Sequence, residues 1–181
     1  MTRYIAFLRA INVGGRTIKM EMLRQHFEAL GLAQVETFIN SGNVIFETRA
    51  AKGSSLEKKI EAQLRQMMGY DVPAFVRTEP ELAAISSYQP PFPPTPLEGA
   101  VYIAFVKAPP SSPVQQALAA LDSEADRFHI HNCEVYWWRA GGFSDSALSG
   151  SGRFEKLLGV PTTVRNSTTV RKLAEKYPAK G

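Results

Sequence analysis

Residues 4–10 read YIAFLRA and residues 102–108 read YIAFVKA, identical at five of seven positions, with Leu8 answered by Val106 and Arg9 by Lys107. So short a match carries weight only if its surroundings repeat as well. They do. An apolar strand over about 3–9 is followed by a loop and a helix from about Lys19 to Leu30, with Met22, Leu23, Phe27 and Leu30 at helical spacing as its buried face. Gly31 ends that helix as a C-terminal glycine should. Two strands, Val35 to Ile39 and Val44 to Phe46, flank the turn Asn40-Ser41-Gly42-Asn43, whose residues tolerate turn backbone angles. Ser54 or Ser55 caps a second helix carrying Leu56, Ile60, Leu64 and Met67, and a strand Val72 to Val76 and a short helix after Pro80 complete the unit. The second half gives the same order: strand 100–107, helix 112–121, strands 126–131 and 134–139, helix 152–158, strand 162–165 and helix 167–176.

This repeated order reads as α+β, with two tandem ferredoxin-like βαββαβ repeats whose antiparallel sheets carry helices on one face. The first half spans 1–88 and the second 99–181. Between them, residues 89–98 hold five prolines in the eight positions Gln89 to Pro96, which no helix or central strand accepts, so this stretch reads as a stiff connector. In the two matching strands both faces are apolar: Tyr4, Ala6 and Leu8 point one way, Ile5 and Phe7 the other. A sheet with one wet face should alternate polar and apolar residues. The helix-free faces are therefore expected to be covered, by the other half or by a second subunit in a homodimer.

The net charge of +4, from 21 basic and 17 acidic residues, is compatible with anionic partners, but no block of like charge concentrates it. A mildly basic solvated surface is the better account of it. Cys133 is the single cysteine, so no intrachain disulfide forms and a cytosolic setting fits. The apolar run Tyr4 to Leu8 is too short for a signal peptide, and no stretch approaches the roughly 18 residues that span a bilayer. The expectation is a soluble cytoplasmic protein without membrane contact.

The stretch Leu8-Arg9-Ala10-Ile11-Asn12-Val13-Gly14-Gly15 resembles the signature LRGINVGG, which opens a widespread bacterial family known only as a domain of unknown function. The likeness continues through Ile18-Lys19-Met20, Leu23, Leu30-Gly31 and Ser41-Gly42-Asn43-Val44, and Thr163 to Leu173 is similar to the family's TxRNWNTVxKL. Ala10 stands where that signature has glycine, and Ser167-Thr168 where it has Trp-Asn. The resemblance implies the same duplicated ferredoxin-like fold and brings no assigned reaction.

The strongest local signal for function is the loop from Arg9 to Lys19. Gly14-Gly15 lets the backbone turn with N–H groups exposed, and the next helix starts near Lys19 with its positive dipole end close by. In a βαββαβ unit the loop after strand one and the turn between strands two and three lie at the same end of the sheet. Arg9, Asn12, Lys19, Asn40, Ser41 and Asn43 are thus expected to converge around a phosphate or carboxylate of a small, nucleotide-like ligand. Neither GxxxxGK[ST] nor GxGxxG is present. The competing reading is that the asparagines make turn hydrogen bonds and Arg9 pairs locally. Arg165-Asn166 reads equally as an anion contact or as the cap of the last helix.

Other constellations are weaker. His129, His131 and Cys133 alternate, but a hairpin turn near Asn132 rotates Cys133 away and no fourth ligand is evident, so strand-exposed histidines are expected and neither metal nor cofactor. Tyr136-Trp137-Trp138 falls where ferredoxin-like RNA-recognition domains carry stacking aromatics, which makes an RNA-binding module the alternative function, yet the RNP signature is missing and core packing fits better. Ser41 lies in NSGN rather than GxSxG, and Ser144-Asp145-Ser146 in a Gly/Ser-rich stretch read as a flexible loop. A dimeric scaffold without ligand is the third alternative.

Overall fold

A computed structural model of the chain describes residues 1–11, 15, 17–39, 42–49, 53–94, 97–149 and 152–179. The first unit runs β1 (Thr2–Leu8), α1 (Met20–Ala29), β2 (Ala33–Phe38), β3 (Asn43–Thr48), α2 (Gly53–Met68), β4 (Ala74–Thr78) and α3 (Glu79–Ser87). Its sheet has the order β2-β3-β1-β4, and every pairing is antiparallel. Each helical crossover leaves a gap one strand wide, which a strand of the other crossover fills; that is the ferredoxin-like interleaving.

Two helices bury the sheet's inner face. Leu23 and Phe27 of α1 and Leu56, Ile60 and Leu64 of α2, spaced four apart, form one cluster with Tyr4, Ala6, Leu8 and Phe46. Each of the leucine, isoleucine and phenylalanine side chains among them contributes about 1.5–3 kcal/mol on leaving water. Met22 does not join them, since it is 47% exposed: one residue from Leu23 is a rotation of about 100° around the helix. The expected serine cap also fails, because α2 starts at Gly53 and both Ser54 and Ser55 lie within its first turn. Gly31 ends α1 with φ +76°, its N–H bonded to the Glu28 carbonyl at 2.8 Å. Strand β4 begins two residues later than expected because Pro73 has no N–H to donate, and its carbonyl instead accepts the Arg9 N–H at 3.0 Å. The helix after β4 includes Pro80 in its first turn and opens on a capping box, with Glu81 N–H to Thr78 Oγ1 at 3.4 Å and Thr78 N–H to Glu81 Oε2 at 2.7 Å.

The second unit runs β5 (Gly99–Phe105), α4 (Ser112–Ala119), β6 (Asp126–His131), β7 (Glu134–Ala140), α5 (Arg153–Leu158), β8 (Thr163–Asn166) and α6 (Ser167–Lys176), with sheet order β6-β7-β5-β8. The two YIAF strands occupy the same place in their sheets. Tyr4 faces Phe46 and Thr78, and Tyr102 faces Trp137 and Asn166; Ile5 faces Ile45 and Arg77, and Ile103 faces Tyr136 and Arg165. By their contacts the boundaries of the two units run through α3 and α6: the first unit is Met1–Ala84 with Leu173–Gly181, and the second, Ile85–Lys172, takes in the end of α3 and the start of α6.

The face of each sheet away from its helices is buried too. In the first unit Ile5, Phe7, Ile45 and Phe75 are at most 1% exposed. Part of their surroundings comes from the C-terminal segment, which sequence reading did not anticipate. Tyr177 donates its hydroxyl to Glu36 at 2.7 Å, and its ring lies 5.6 Å from the Arg3 guanidinium, which bridges Glu47 and Glu79 at 2.9 Å each. In the second unit Ile103, Phe105 and Tyr136 are buried on the corresponding face.

Candidate functional site

The end of β1 and the turn before β3 do meet. The Leu8 N–H donates to the Gly42 carbonyl at 2.8 Å, and a Cβ on Gly42, which has φ +73°, would stand 2.7 Å from Ile11 Cγ2. Only glycine lets the turn press against the loop this closely. Arg9 is half-buried at the start of that loop, and Ala10 follows with φ +52°. Gly15 also adopts a left-handed backbone, φ +79°, in open space. At the far end Lys19 is exposed and occupies the cap position of α1 with φ −65° and ψ 134°, making no side-chain capping bond. The amino end of that helix concentrates partial positive charge. Asn12, Gly14, Asn40 and Ser41 lie outside the described residues.

Asn43 does not join this cluster. It is 0% exposed, its Nδ2 donates to the Phe38 carbonyl at 3.0 Å, and its register opposite Phe7 puts it on the helix-free face. Arg165 and Asn166 belong to the second unit. Burial pushes the Arg165 guanidinium down to about 10, and its Nη1 donates to Thr163 Oγ1 at 2.8 Å and to the Val164 carbonyl at 2.9 Å. Asn166 Oδ1 accepts the Thr168 N–H at 2.8 Å, so this asparagine caps α6.

A cavity of about 440 Å³ opens beside Lys19, lined by Thr17, Ile18, Lys19, Met22, Met67 and Met68. Of these, Met22 and Met67 were expected on buried helix faces, and Met67, with Met68, does pack against the core at its edge. A βαββαβ unit runs α1 and α2 antiparallel, so the end of α2 reaches the start of α1, and that topological signal places Met67 and Met68 there. Methionine is adaptable and polarizable, and suits a flat apolar group.

The other constellations resolve as packing. His129 and His131 are half-buried rather than strand-exposed, because Tyr88 stacks on His131 at 3.9 Å between centroids and its hydroxyl lies 2.7 Å from His129 Nε2. Cys133 turns to the helix-side core after Asn132, which has φ +55°. Among the described residues no three His, Cys, Asp or Glu side chains gather as metal ligands would. Tyr136, Trp137 and Trp138 are 1%, 0% and 9% exposed, so their ring faces are not offered for base stacking. The stretch expected as a flexible loop is fastened: Phe143 packs 5.2 Å from Trp137, the Gly142 carbonyl accepts Arg139 Nε–H at 3.0 Å, and Ser146 Oγ accepts the Leu148 N–H at 3.1 Å.

The chain belongs to the bacterial family described as protein of unknown function (DUF1697), which it matches over residues 1–136. Among solved structures it is similar to the conserved bacterial protein SP0830 from Streptococcus pneumoniae, at 25% identity and a TM-score of 0.72, over 99% of each chain. No curated protein matches the chain. Among the described residues no helix is long and apolar enough to cross a membrane.

Proposed function

We propose that the chain binds a small anionic ligand, nucleotide-like in carrying a flat apolar part, at the loop from Arg9 to Lys19. One observation carries this reading: the amino end of α1, with no capping side chain from Lys19, opens beside a cavity of about 440 Å³ walled by Met22, Met67 and Met68. Backbone N–H groups at a helix start favour negative charge, and Lys19 adds a full positive charge at the same point. The methionines offer an apolar bed for the remainder of the ligand. Arg9 enters the loop from the β1 end, and Gly42 holds the neighbouring turn against it. Cytoplasmic residence is part of the same reading, supported by the single cysteine. So is internal duplication, supported by the matching ladders of the two YIAF strands.

Thermal denaturation in the presence of inorganic phosphate and of AMP tests the proposal. A ligand held only by the folded state at about 100 times its Kd adds about 2.7 kcal/mol of stability. AMP is expected to raise the melting temperature of the native chain. Lys19→Ala should weaken that binding about tenfold, the worth of one charge-assisted hydrogen bond, and leave the ligand-free melting temperature unchanged because Lys19 is exposed. Asn43→Ala should do the reverse. Absence of any shift, or an undiminished shift in Lys19→Ala, overturns the reading.

A further inference from the structure

The second unit holds a cavity of its own, about 180 Å³, which the proposed loop site does not use. Its floor is sheet. Val101 and Ile103 alternate along β5 and so share a face, and Tyr136 stands opposite Ile103 on β7. Tyr88 forms a wall whose ring cannot swing freely. It is stacked on His131 at 3.9 Å and 14°, and its hydroxyl is 2.7 Å from His129 Nε2. Tyr136 is fixed as well, since its hydroxyl donates to the Ile85 carbonyl at 3.1 Å. Two aromatic rings held in place before a ligand arrives lower the ordering cost of binding.

The rim sets the charge. Among the residues that line the cavity, Arg171 is the one basic residue, and no acidic residue is among them. Ser167 lies one helical turn before it on α6, so hydroxyl and guanidinium lie on the same side of the helix. A guanidinium beside a hydroxyl, above an apolar and aromatic floor, matches a carboxylate attached to a short hydrocarbon body. Size narrows the class further: pockets for drug-sized ligands begin at roughly 300 Å³, and this one is smaller.

We propose that this cavity binds a small monocarboxylate, with the carboxylate on Arg171 and Ser167 and the apolar body against Val101, Ile103, Tyr88 and Tyr136. The site is independent of the loop in the first unit and stands or falls separately.

Benzoate and its uncharged analogue benzyl alcohol are suitable probes, titrated into the full ¹⁵N-labelled chain and followed amide by amide. Benzoate should give saturable shifts centred on Ile103, Tyr136 and Ser167 to Arg171 at up to about 10 mM, ten times a millimolar Kd. Benzyl alcohol should bind at least about tenfold more weakly, and Arg171→Gln should remove that difference by weakening benzoate alone. Ser167→Trp, which fills the space with a large ring, should abolish both while the far-UV spectrum is retained. Equal affinity for the two probes overturns the proposal. So do benzoate shifts confined to Thr17–Met22, benzoate binding undiminished in Arg171→Gln, or no saturable shift at these amides.

Discussion

The two units share one backbone frame but fill its centre differently. Opposite Tyr4 the first unit places Phe46, which stacks on that tyrosine at 5.7 Å and 18° and meets Phe27 at 5.7 Å, an all-hydrocarbon contact apart from one hydroxyl. At the equivalent position opposite Tyr102 the second unit places Trp137, 0% exposed. A buried indole N–H requires a partner. It finds Asp126 Oδ1 at 2.7 Å, and Asp126 Oδ2 in turn accepts Arg139 Nη1 at 2.8 Å. Replacing one ring by another thus brings an ion pair into the edge of the second sheet. Exchanging aromatic rings keeps the fold only when the polar atom that comes with the larger ring is satisfied.

That difference gives the largest expected effect. Asp126→Ala takes the acceptor from both the Trp137 N–H and Nη1 of Arg139, whose side chain is 9% exposed and, among the described residues, keeps only its Nε bond to the Gly142 carbonyl. Breaking a buried pair from one side costs about 3–5 kcal/mol. Both tryptophans of the chain, Trp137 and Trp138, belong to the second unit, so their fluorescence during urea unfolding reads that unit directly. A loss below about 1 kcal/mol would mean that water serves the indole and that the two cores differ less than their contacts imply.

Acid should separate the units as well, with a smaller effect. Burial first, and the charge of His131 second, lower the pKa of His129 from its ordinary 6.5. The unfolded chain then binds the proton more readily than the folded one, so this contribution is complete above about pH 6.5 and is lost as pH falls through the lower folded value. The groups around it are His131, Tyr88 and Tyr136, with Glu134 opposite His131 in the ladder. In the first unit the bond from Tyr177, and then Lys176, lower Glu36 below its ordinary 4.5 against the opposing effect of burial. That stability is present above about pH 4.5 and disappears only further down. The urea midpoint read by tryptophan should therefore drop between about pH 7.5 and 5.5, and His129→Gln should flatten the drop. A midpoint unchanged over that range in the native chain would show that His129 titrates as it does in water.

Much of the frame was legible because its signals are local or periodic. The YIAF runs mark two central strands, Leu56, Ile60 and Leu64 mark one helix face, and Gly31 marks an end. One further match passed unnoticed: Val76-Arg77 and Val164-Arg165 hold the same register beside the two YIAF strands, and each arginine donates to the carbonyl of its preceding valine at 2.9 Å. Two residues carry no signal until the ladder aligns them. The candidate loop was legible in its glycines, whereas Asn43 was not. One step of register decides which face of a sheet a side chain takes, and turn residues do not reveal that step. Tyr88 was invisible for another reason, because nothing in its neighbourhood of sequence points to His129, 41 residues later.

The smallest predicted effect is also the sharpest test of the comparison, because it exchanges the same residue at the same place in both units. YIAFLRA ends at Ala10 and YIAFVKA at Ala108. Ala10 has φ +52°, whereas Ala108 is not among the residues with positive φ. An L-residue in the left-handed region places its Cβ too near the following carbonyl, at a cost of roughly 1–2 kcal/mol. Glycine removes that clash but adds freedom to the unfolded chain, so Ala10→Gly should stabilise by a net of about 0.5–1 kcal/mol. At Ala108 there is no clash to relieve and only the entropic term remains. Ala108→Gly should therefore destabilise by about 0.5–1 kcal/mol. Thermal unfolding of the two variants should move in opposite directions from the native chain. Shifts of the same sign would mean that the two loops leave their strands alike, and that the contrast at the start of the candidate site is not a property of this sequence.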